Sequence, residues 1–277
     1  MKYKSILKKH LKPLEPIPLK VKRQITPFSP KCILFDVYGT LLISGAGDIG
    51  KDSELKDTFF YQTARELDLP LLKMPSSPTN LLLELIAQEH KKKKDRGIEY
   101  PEVDIVHIWK TFFLHLGINL SLEKILEFAF LYELLSNPIW PMPGLKELLN
   151  WLKEKKVLLG IISNAQFYTP LSLEFFLGQK LTHYFNPELC FWSYKEKMAK
   201  PSQGLFQKAQ QTLAKWHISP DQVLYVGNDV YKDIYPGTKV SFKGCLLAVD
   251  KRSYRYNFNI TNFDIISELK EIGMYYP

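Results

Sequence analysis

The chain has 277 residues, of which 45% are hydrophobic and 24% are charged, and this composition excludes a disordered protein. Its formal net charge is +8, but the first 31 residues hold nine lysines and arginines against one acid, and the remainder holds 28 basic and 28 acidic residues. Because the remainder is balanced, we expect the folded body not to bind nucleic acid.

Residues 1–30 are predicted to form a basic, proline-rich extension that is solvated, because five prolines between Pro13 and Pro30 break any long helix. No run of about 18 apolar residues could span a bilayer, and the first residues lack the apolar core of a signal peptide. The three cysteines are far apart and have no disulfide or metal spacing. These features indicate a reducing, cytoplasmic setting.

Short apolar runs predict buried strands, because nearly continuous hydrophobes are typical of parallel strands covered on both faces. Helical patterns at 145–155 and 202–215 separate the later runs, and another at 262–272 closes the chain. This alternation indicates a doubly wound, parallel-sheet, Rossmann-like α/β core over 31–49 and 141–277. The runs are CILFD (32–36), VLLGIIS (157–163), LCFWSY (189–194), VLYVG (223–227) and CLLAV (245–249).

A long stretch without strand character separates the first two of these runs. It contains helical patterns at 54–68, 79–95, 102–116 and 121–136. A parallel crossover needs only a dozen or so residues, so the excess is predicted to form an inserted, all-helical cap domain over 50–140. The segment GAGDIG (45–50) has the spacing of a nucleotide-binding loop, but it does not directly follow the strand, and we predict a flexible flap there.

Polar side chains stand where the predicted strands end. In an open parallel sheet, ligands bind beyond the carboxyl ends of the strands. Since these ends meet at one edge of the sheet, we expect a single site for a small anionic substrate. The candidates are Asp36, Tyr38 and Thr40 after the first strand, Ser163 and Asn164 after the second, Lys200 on a later loop, and Asp229 and Asp233 after VLYVG.

These residue types suit a covalent reaction on an anion. A carboxylate held at a strand end, such as Asp36, is rigid and ionised and can act as a nucleophile. The side chains of Ser163 and Asn164 can donate hydrogen bonds to substrate oxygens. Lys200 can neutralise the charge that develops on those oxygens.

A metal site is also predicted from the same residues. Asp36, Asp229 and Asp233 offer carboxylate oxygens, the ligands that Mg²⁺ prefers. For Asp229 and Asp233 the alternative is that their side chains cap the helix that follows. Mg²⁺ is therefore the predicted cofactor.

Four segments resemble the motifs of the haloacid dehalogenase superfamily of hydrolases: ILFDVYGTLL (33–42), PGLKELLNWLKEKKVLLGIISNA (143–165), KPSQGLFQKA (200–209) and VLYVGNDVYKDI (223–234). The resemblance implies that Asp36 forms an aspartyl intermediate that water releases, and that Thr40 orients it. It also implies that Ser163 and Lys200 bind the transferred group. The insertion would be a cap that closes over the site and selects substrates.

The first motif departs from that of the superfamily's phosphatases, which usually carry a second aspartate two residues after the first. Tyr38 occupies that position. A phenol, with a reference pKa of about 10 against about 3.9 for aspartate, is a poor general base at neutral pH. The dehalogenase branch carries Asp-x-Tyr-Gly-Thr, needs no acid there because a halide leaves without protonation, and works without metal.

The fourth motif indicates the opposite chemistry. Phosphatases usually place an aspartate directly after the glycine, where this chain has Asn228, but the carboxylate of Asp229 follows and favours Mg²⁺. We therefore slightly favour a Mg²⁺-dependent phosphatase of a small phosphomonoester. The alternatives are a metal-independent 2-haloacid dehalogenase and a catalytically degenerate member that binds a ligand or partner. Arg65 is a candidate for the cap arginine with which dehalogenases hold substrate, or else an exposed helix residue.

Overall fold

Six parallel strands form the sheet on which the rest of the chain is built. The structure is a computed structural model that describes residues 2–46, 53–256 and 260–276. The strands are β1 Cys32–Phe35, β4 Leu158–Ser163, β5 Cys190–Trp192, β6 Val223–Gly227, β7 Lys243–Leu247 and β8 Asp264–Ile266, and their order is β5-β4-β1-β6-β7-β8. A separate antiparallel pair joins β2 Leu42–Ser44 to β3 Ile139–Pro141.

Strand β1 lies inside the sheet, between β4 and β6, and Phe35 pairs with Ile161 and Val226. Every residue of β1 is fully buried, which explains why its sequence is continuously hydrophobic. The helices around the sheet are α6 Leu145–Glu154, α7 Tyr168–Leu177, α8 Ser193–Glu196, α9 Gln203–Ala214 and α10 Tyr235–Lys239. Leu34 packs against α9 on one face, and Ile33 belongs to the core of the opposite face, which includes α6. The predicted doubly wound fold is confirmed.

Four helices fill the insertion between β2 and β3. They are α2 Ser53–Glu66, α3 Pro78–Lys94, α4 Ile105–His115 and α5 Leu122–Ser136. Aromatic rings join them: the centroid of Trp109 lies 6.0 Å from that of Phe60 and 4.8 Å from that of Phe128. The Asp104 side chain caps α4 by accepting a hydrogen bond from the Val106 amide. All four predicted helices are present, and the bounds of a separate cap domain stay a prediction.

The C-terminal segment differs from the helix predicted over 262–272. It forms strand β8, followed by a 3-10 helix at Leu269–Tyr275. The Asp264 carboxylate is fully buried and accepts a hydrogen bond from the Tyr275 hydroxyl at 2.7 Å. Tertiary pairing with β7 therefore outweighs the local helical pattern.

The N-terminal segment is not the solvated extension predicted from its charge and prolines. Helix α1, Lys2–His10, ends before the first proline. Its apolar face is buried, with Leu7 only 1% exposed, and the Tyr3 ring lies 4.8 Å from that of Phe130 in α5. The prediction was wrong here because the prolines begin only after α1, so the first turns can bury a hydrophobic face.

The rest of this segment lies along the core. Gln24 pairs in antiparallel fashion with Ile265 of β8, so it covers the edge of the sheet. Further back, the amide of Ile17 donates to Asp250 and the guanidinium of Arg252 donates to the carbonyl of Glu15. The N-terminal segment therefore contacts both the inserted helices and the core.

The predicted flap at 45–50 lies, beyond Ala46, outside the described residues. Among the helices that the structure describes, none is long and apolar enough to cross a membrane. Cys32, Cys190 and Cys245 are free thiols, and the first and last are buried.

The substitution Leu7→Ala tests whether α1 is part of the folded body. Loss of a buried leucine side chain should lower the free energy of unfolding by about 2–5 kcal/mol. Lys8→Ala is the matched control, because Lys8 is exposed and its loss should change stability by no more than about 0.5 kcal/mol. Urea unfolding followed by circular dichroism measures both, and equal stabilities would contradict the docking of α1.

Candidate active site

The site is centred on Asp36, the residue that directly follows β1. Its amide donates to the Val226 carbonyl at 2.9 Å, which continues the ladder to β6 and fixes the backbone. The Lys200 ammonium lies 2.7 Å from Asp36 Oδ1 and 2.5 Å from Asp233 Oδ1. All three side chains are nearly buried, so one lysine bridges two carboxylates away from water.

Burial and neighbouring charges together set the pKa values of Asp36 and Lys200. Burial raises the pKa of Asp36 to about 6, and the Asp233 charge adds to the effect while Lys200 opposes it. Burial alone would lower the pKa of Lys200, but the two carboxylates outweigh it and the pKa is raised. Lys200 therefore stays charged. Asp36 is a carboxylate at neutral pH, but it takes up a proton more readily than an exposed aspartate does.

Both oxygens of the Asp233 carboxylate are bound by donors of the protein itself. Its Oδ2 accepts the amides of Asn228 and Asp229 at 3.1 and 3.0 Å, and its Oδ1 lies 3.2 Å from the Tyr225 hydroxyl as well as against Lys200. A Cβ at Gly227 would lie 2.5 Å from Asp233 Oδ2, so only glycine allows this close approach. Asp233 organises the site around Lys200.

Ser163, the last residue of β4, carries the one unsatisfied buried polar side-chain atom among the residues that the structure describes. Its side chain is fully buried, and its Oγ has no hydrogen-bond partner there. The hydroxyl nevertheless lies close enough to Asp36 to lower the pKa of that carboxyl. A buried donor without a partner is costly, and here it stands beside the predicted nucleophile, where a substrate oxygen could accept a hydrogen bond from it.

Asn164 and Thr40 make different contacts from those predicted. The Asn164 side chain accepts the Lys200 amide at 2.7 Å and donates to the Lys200 carbonyl at 3.1 Å, so it holds the lysine's backbone. The Thr40 hydroxyl donates to Asn228 Oδ1 at 3.1 Å, whereas it was predicted to orient Asp36. Both residues lie in the site but are occupied by other protein groups.

Tyr38 points to the segment that follows β4. Its hydroxyl lies 2.9 Å from Thr169 Oγ1, and burial raises its pKa above the ordinary tyrosine value. The phenol thus remains protonated at neutral pH and cannot act as a base. Thr169 and Tyr225 were not singled out from the sequence, although a tyrosine inside the apolar run VLYVG signals a buried hydroxyl that needs a partner.

The oxygen atoms predicted to hold Mg²⁺ do not form a coordination site. Besides the fully used Asp233, Asn228 accepts from Thr40 and donates to the Ser253 carbonyl at 2.7 Å. Asp229 Oδ1 caps the following π-helix by accepting two backbone amides. Within the described ranges, no group of three or more histidine, cysteine or acidic side chains could hold a metal ion. As arranged, the donor set does not fit Mg²⁺.

Arg65 is not brought to this site. It lies in the last turn of α2 and is exposed. Among the described contacts, no hydrogen bond or ion pair joins its guanidinium to Asp36, whose carboxylate is paired with Lys200. The placement matches the alternative that Arg65 is a surface residue of the helix.

A family model described as haloacid dehalogenase-like hydrolase matches residues 30–239, which include every candidate residue of the site. The chain belongs to this family. The resemblance recognised from the four motifs is thereby confirmed, and the haloacid dehalogenase-like chain is a hydrolase.

Solved structures of both branches share the fold of this haloacid dehalogenase-like hydrolase. A 2-haloacid dehalogenase from Pseudomonas syringae pv. tomato DC3000 is 15% identical with a TM-score of 0.61, over 89% of this chain and 97% of that one. A HAD phosphatase from Thermococcus onnurineus is 19% identical with a TM-score of 0.51, over 88% and 96%. A putative HAD-hydrolase from Bacillus subtilis bound to magnesium is 16% identical with a TM-score of 0.52, over 89% and 98%. No curated protein matches the sequence.

Asp233→Ala should lower the free energy of unfolding by about 3–5 kcal/mol, because it leaves the buried Lys200 charge with a single partner and frees two amides. Asp229→Ala is the matched control and should cost only about 0.5–2 kcal/mol, the usual value of a helix cap. Denaturant unfolding in the presence of EDTA measures both. If the ranking were reversed, Asp233 would not be the organiser of the site.

Proposed function

We propose that this hydrolase cleaves carbon–halogen bonds of small 2-haloacids through an ester on Asp36 and without a metal ion. The observation that carries the proposal is Tyr38, a half-buried phenol hydrogen-bonded to Thr169 at the position where an acid would otherwise serve the leaving group. Among the described residues, Asp233, Asn228 and Asp229 Oδ1 are already bound by protein donors, which supports the same conclusion.

The reaction follows from the groups that face Asp36. A carboxylate oxygen attacks the carbon that bears the halogen, a carbon–oxygen bond forms, and the halide leaves with the bonding electrons. A halide is a weak base and needs no proton. Water then attacks the ester carbonyl of Asp36, and the net products are a hydroxy acid, halide and one proton. Lys200 orients the Asp36 carboxylate for the first step and stabilises the negative charge that develops on its carbonyl oxygen in the second.

A second candidate is the Mg²⁺-dependent phosphatase that the sequence slightly favoured. One observation favours it: burial and the Asp233 charge together raise the pKa of Asp229. A bound cation would relieve this repulsion, if Asp229 left its capping position. The Ser163 hydroxyl and Lys200 would suit phosphoryl oxygens as well as a carboxyl group.

The two candidates separate in one assay. Purified protein is incubated with both enantiomers of 2-chloropropionate and with a panel of phosphomonoesters, each with Mg²⁺ and with EDTA. We expect halide release that persists in EDTA. Phosphate release that EDTA abolishes would instead establish the phosphatase.

Asp36→Asn is the control for the nucleophile, and it should lower turnover by at least about 10³-fold because an amide is no nucleophile here. Unchanged turnover would exclude Asp36 from the chemistry. Absence of turnover on both panels by a folded protein would contradict the proposal and favour the ligand-binding alternative.

The pH dependence should report the raised pKa of Asp36. Since Asp36 attacks only as the carboxylate, kcat/KM should fall about tenfold per pH unit below about pH 6 and level off above it. Asp229→Asn should leave this limb in place, because Asp229 caps the following helix whereas Asp36 is paired with Lys200. A limb near the ordinary aspartate value would show that burial does not govern the nucleophile.

A further inference from the structure

The loop that connects α3 to α4 lies on the core directly beside Lys200. The Ala199 amide donates to the Tyr100 carbonyl at 2.8 Å, and the Glu102 amide donates to the Lys197 carbonyl at 3.3 Å. Pro101 and Met198 face each other as an antiparallel bridge. A short two-stranded contact therefore joins the inserted helices to the residues that lead into Lys200.

The backbone around Lys200 is consequently held from two sides. On the core side, the Asn164 side chain bonds both the amide and the carbonyl of Lys200. On the other side, the preceding residue, Ala199, is bonded to the α3–α4 loop. Lys200 is 4% exposed and must reach two carboxylates at once, so a small shift of its backbone would break this bridge.

Gln166 holds the same loop from the segment that follows β4. Its Nε2 donates to the Val103 carbonyl at 2.9 Å, and its Oε1 accepts the Ile105 amide at 3.1 Å. Gln166 is 9% exposed, and both ends of its carboxamide are used. The Gln166 side chain therefore bonds to the loop in the way that a neighbouring strand would, because both of its partners are backbone groups.

Glu102 provides a second attachment of this loop. Its Oε2 accepts the Ser193 hydroxyl at 2.6 Å, and its Oε1 accepts the Val103 amide at 2.9 Å. Ser193 in turn accepts the Ala165 amide at 2.9 Å. Both attachments therefore begin at Ala165 and Gln166, two and three residues after Ser163.

We infer that Gln166 is a positioning residue of this hydrolase: it seats the α3–α4 loop, and the seated loop holds Ala199 and Lys200 so that the ammonium meets Asp36. The inference rests on the proposed role of Lys200 at Asp36. Its consequence is that the site is complete only when the loop is in place, so closure of the inserted helices and assembly of the reactive group are one event.

Gln166→Ala tests this inference, with Gln210→Ala as the matched control because Gln210 also donates to a backbone carbonyl, that of Val240, on another helix. Loss of the two hydrogen bonds of Gln166 should raise amide hydrogen exchange at Ala199 and Glu102 about tenfold. The rate of Lys200 acetylation by acetic anhydride should rise about tenfold as well. The exposed Lys215 serves as the internal reference and should not change.

Gln166→Glu is the second variant, in case the alanine variant does not fold. It keeps the acceptor for the Ile105 amide and loses the donor to the Val103 carbonyl, so a smaller change of the same sign is expected. Exchange and acetylation equal to those of the wild type in both variants would overturn the inference.

The kinetic readout separates positioning from general damage. With 2-chloropropionate as substrate, Gln166→Ala should lower kcat about tenfold with little change in KM, because Lys200 acts mainly on charge in the transition state. A rise in KM alone would contradict the inference. Exchange and acetylation need no substrate. If both rise in the variant while the wild type shows no turnover, the positioning inference is upheld and the proposed function is wrong. If the wild type turns over 2-chloropropionate but exchange and acetylation do not change in the variant, the proposed function is upheld and the positioning inference is wrong.

Discussion

A single buried ammonium between two carboxylates is the interaction on which the site depends. Charges taken out of water are costly unless they are paired in good geometry, and Lys200 meets Asp36 at 2.7 Å and Asp233 at 2.5 Å. One positive charge cannot neutralise two carboxylates. Asp233 receives further amides and a hydroxyl, so its charge is the better stabilised. Asp36 is therefore the less well compensated carboxylate, and its pKa is raised mainly by burial, with the Asp233 charge adding to the effect.

The seven residues from Ser163 to Thr169 connect the ion pairs of Lys200 to the rest of the site. Ser163 presents its unsatisfied hydroxyl beside Asp36, and Asn164 fixes the backbone of the bridging lysine. Gln166 fixes the α3–α4 loop, and Thr169 fixes the phenol of Tyr38. Four parts of the site are thus placed by one segment at the end of β4, so an error in its conformation would disturb all of them together.

The sequence predicts the positions of these residues better than their partners. Continuous hydrophobic runs reveal the buried strands, and strand ends converge in any parallel sheet, so Asp36, Ser163 and Asp233 could be placed near one another. Side-chain amides are different, because their partners are backbone groups distant in the sequence. Asn164 and Asn228 look like substrate or metal ligands in the motifs, yet each is occupied by protein atoms.

The inserted helices are held to the core by two kinds of contact that respond differently to water. On the side of α1, the Tyr3 ring lies 4.8 Å from Phe130 of α5 and 6.4 Å from Phe167 beside α7, so apolar surface binds both parts. On the side of the α3–α4 loop the contacts are hydrogen bonds from Gln166 and Ser193. Hydrogen bonds exchange with water at a small net cost, whereas exposure of apolar surface costs free energy in proportion to its area. We therefore expect water to compete more readily for the contacts of the α3–α4 loop than for the apolar contacts of α1.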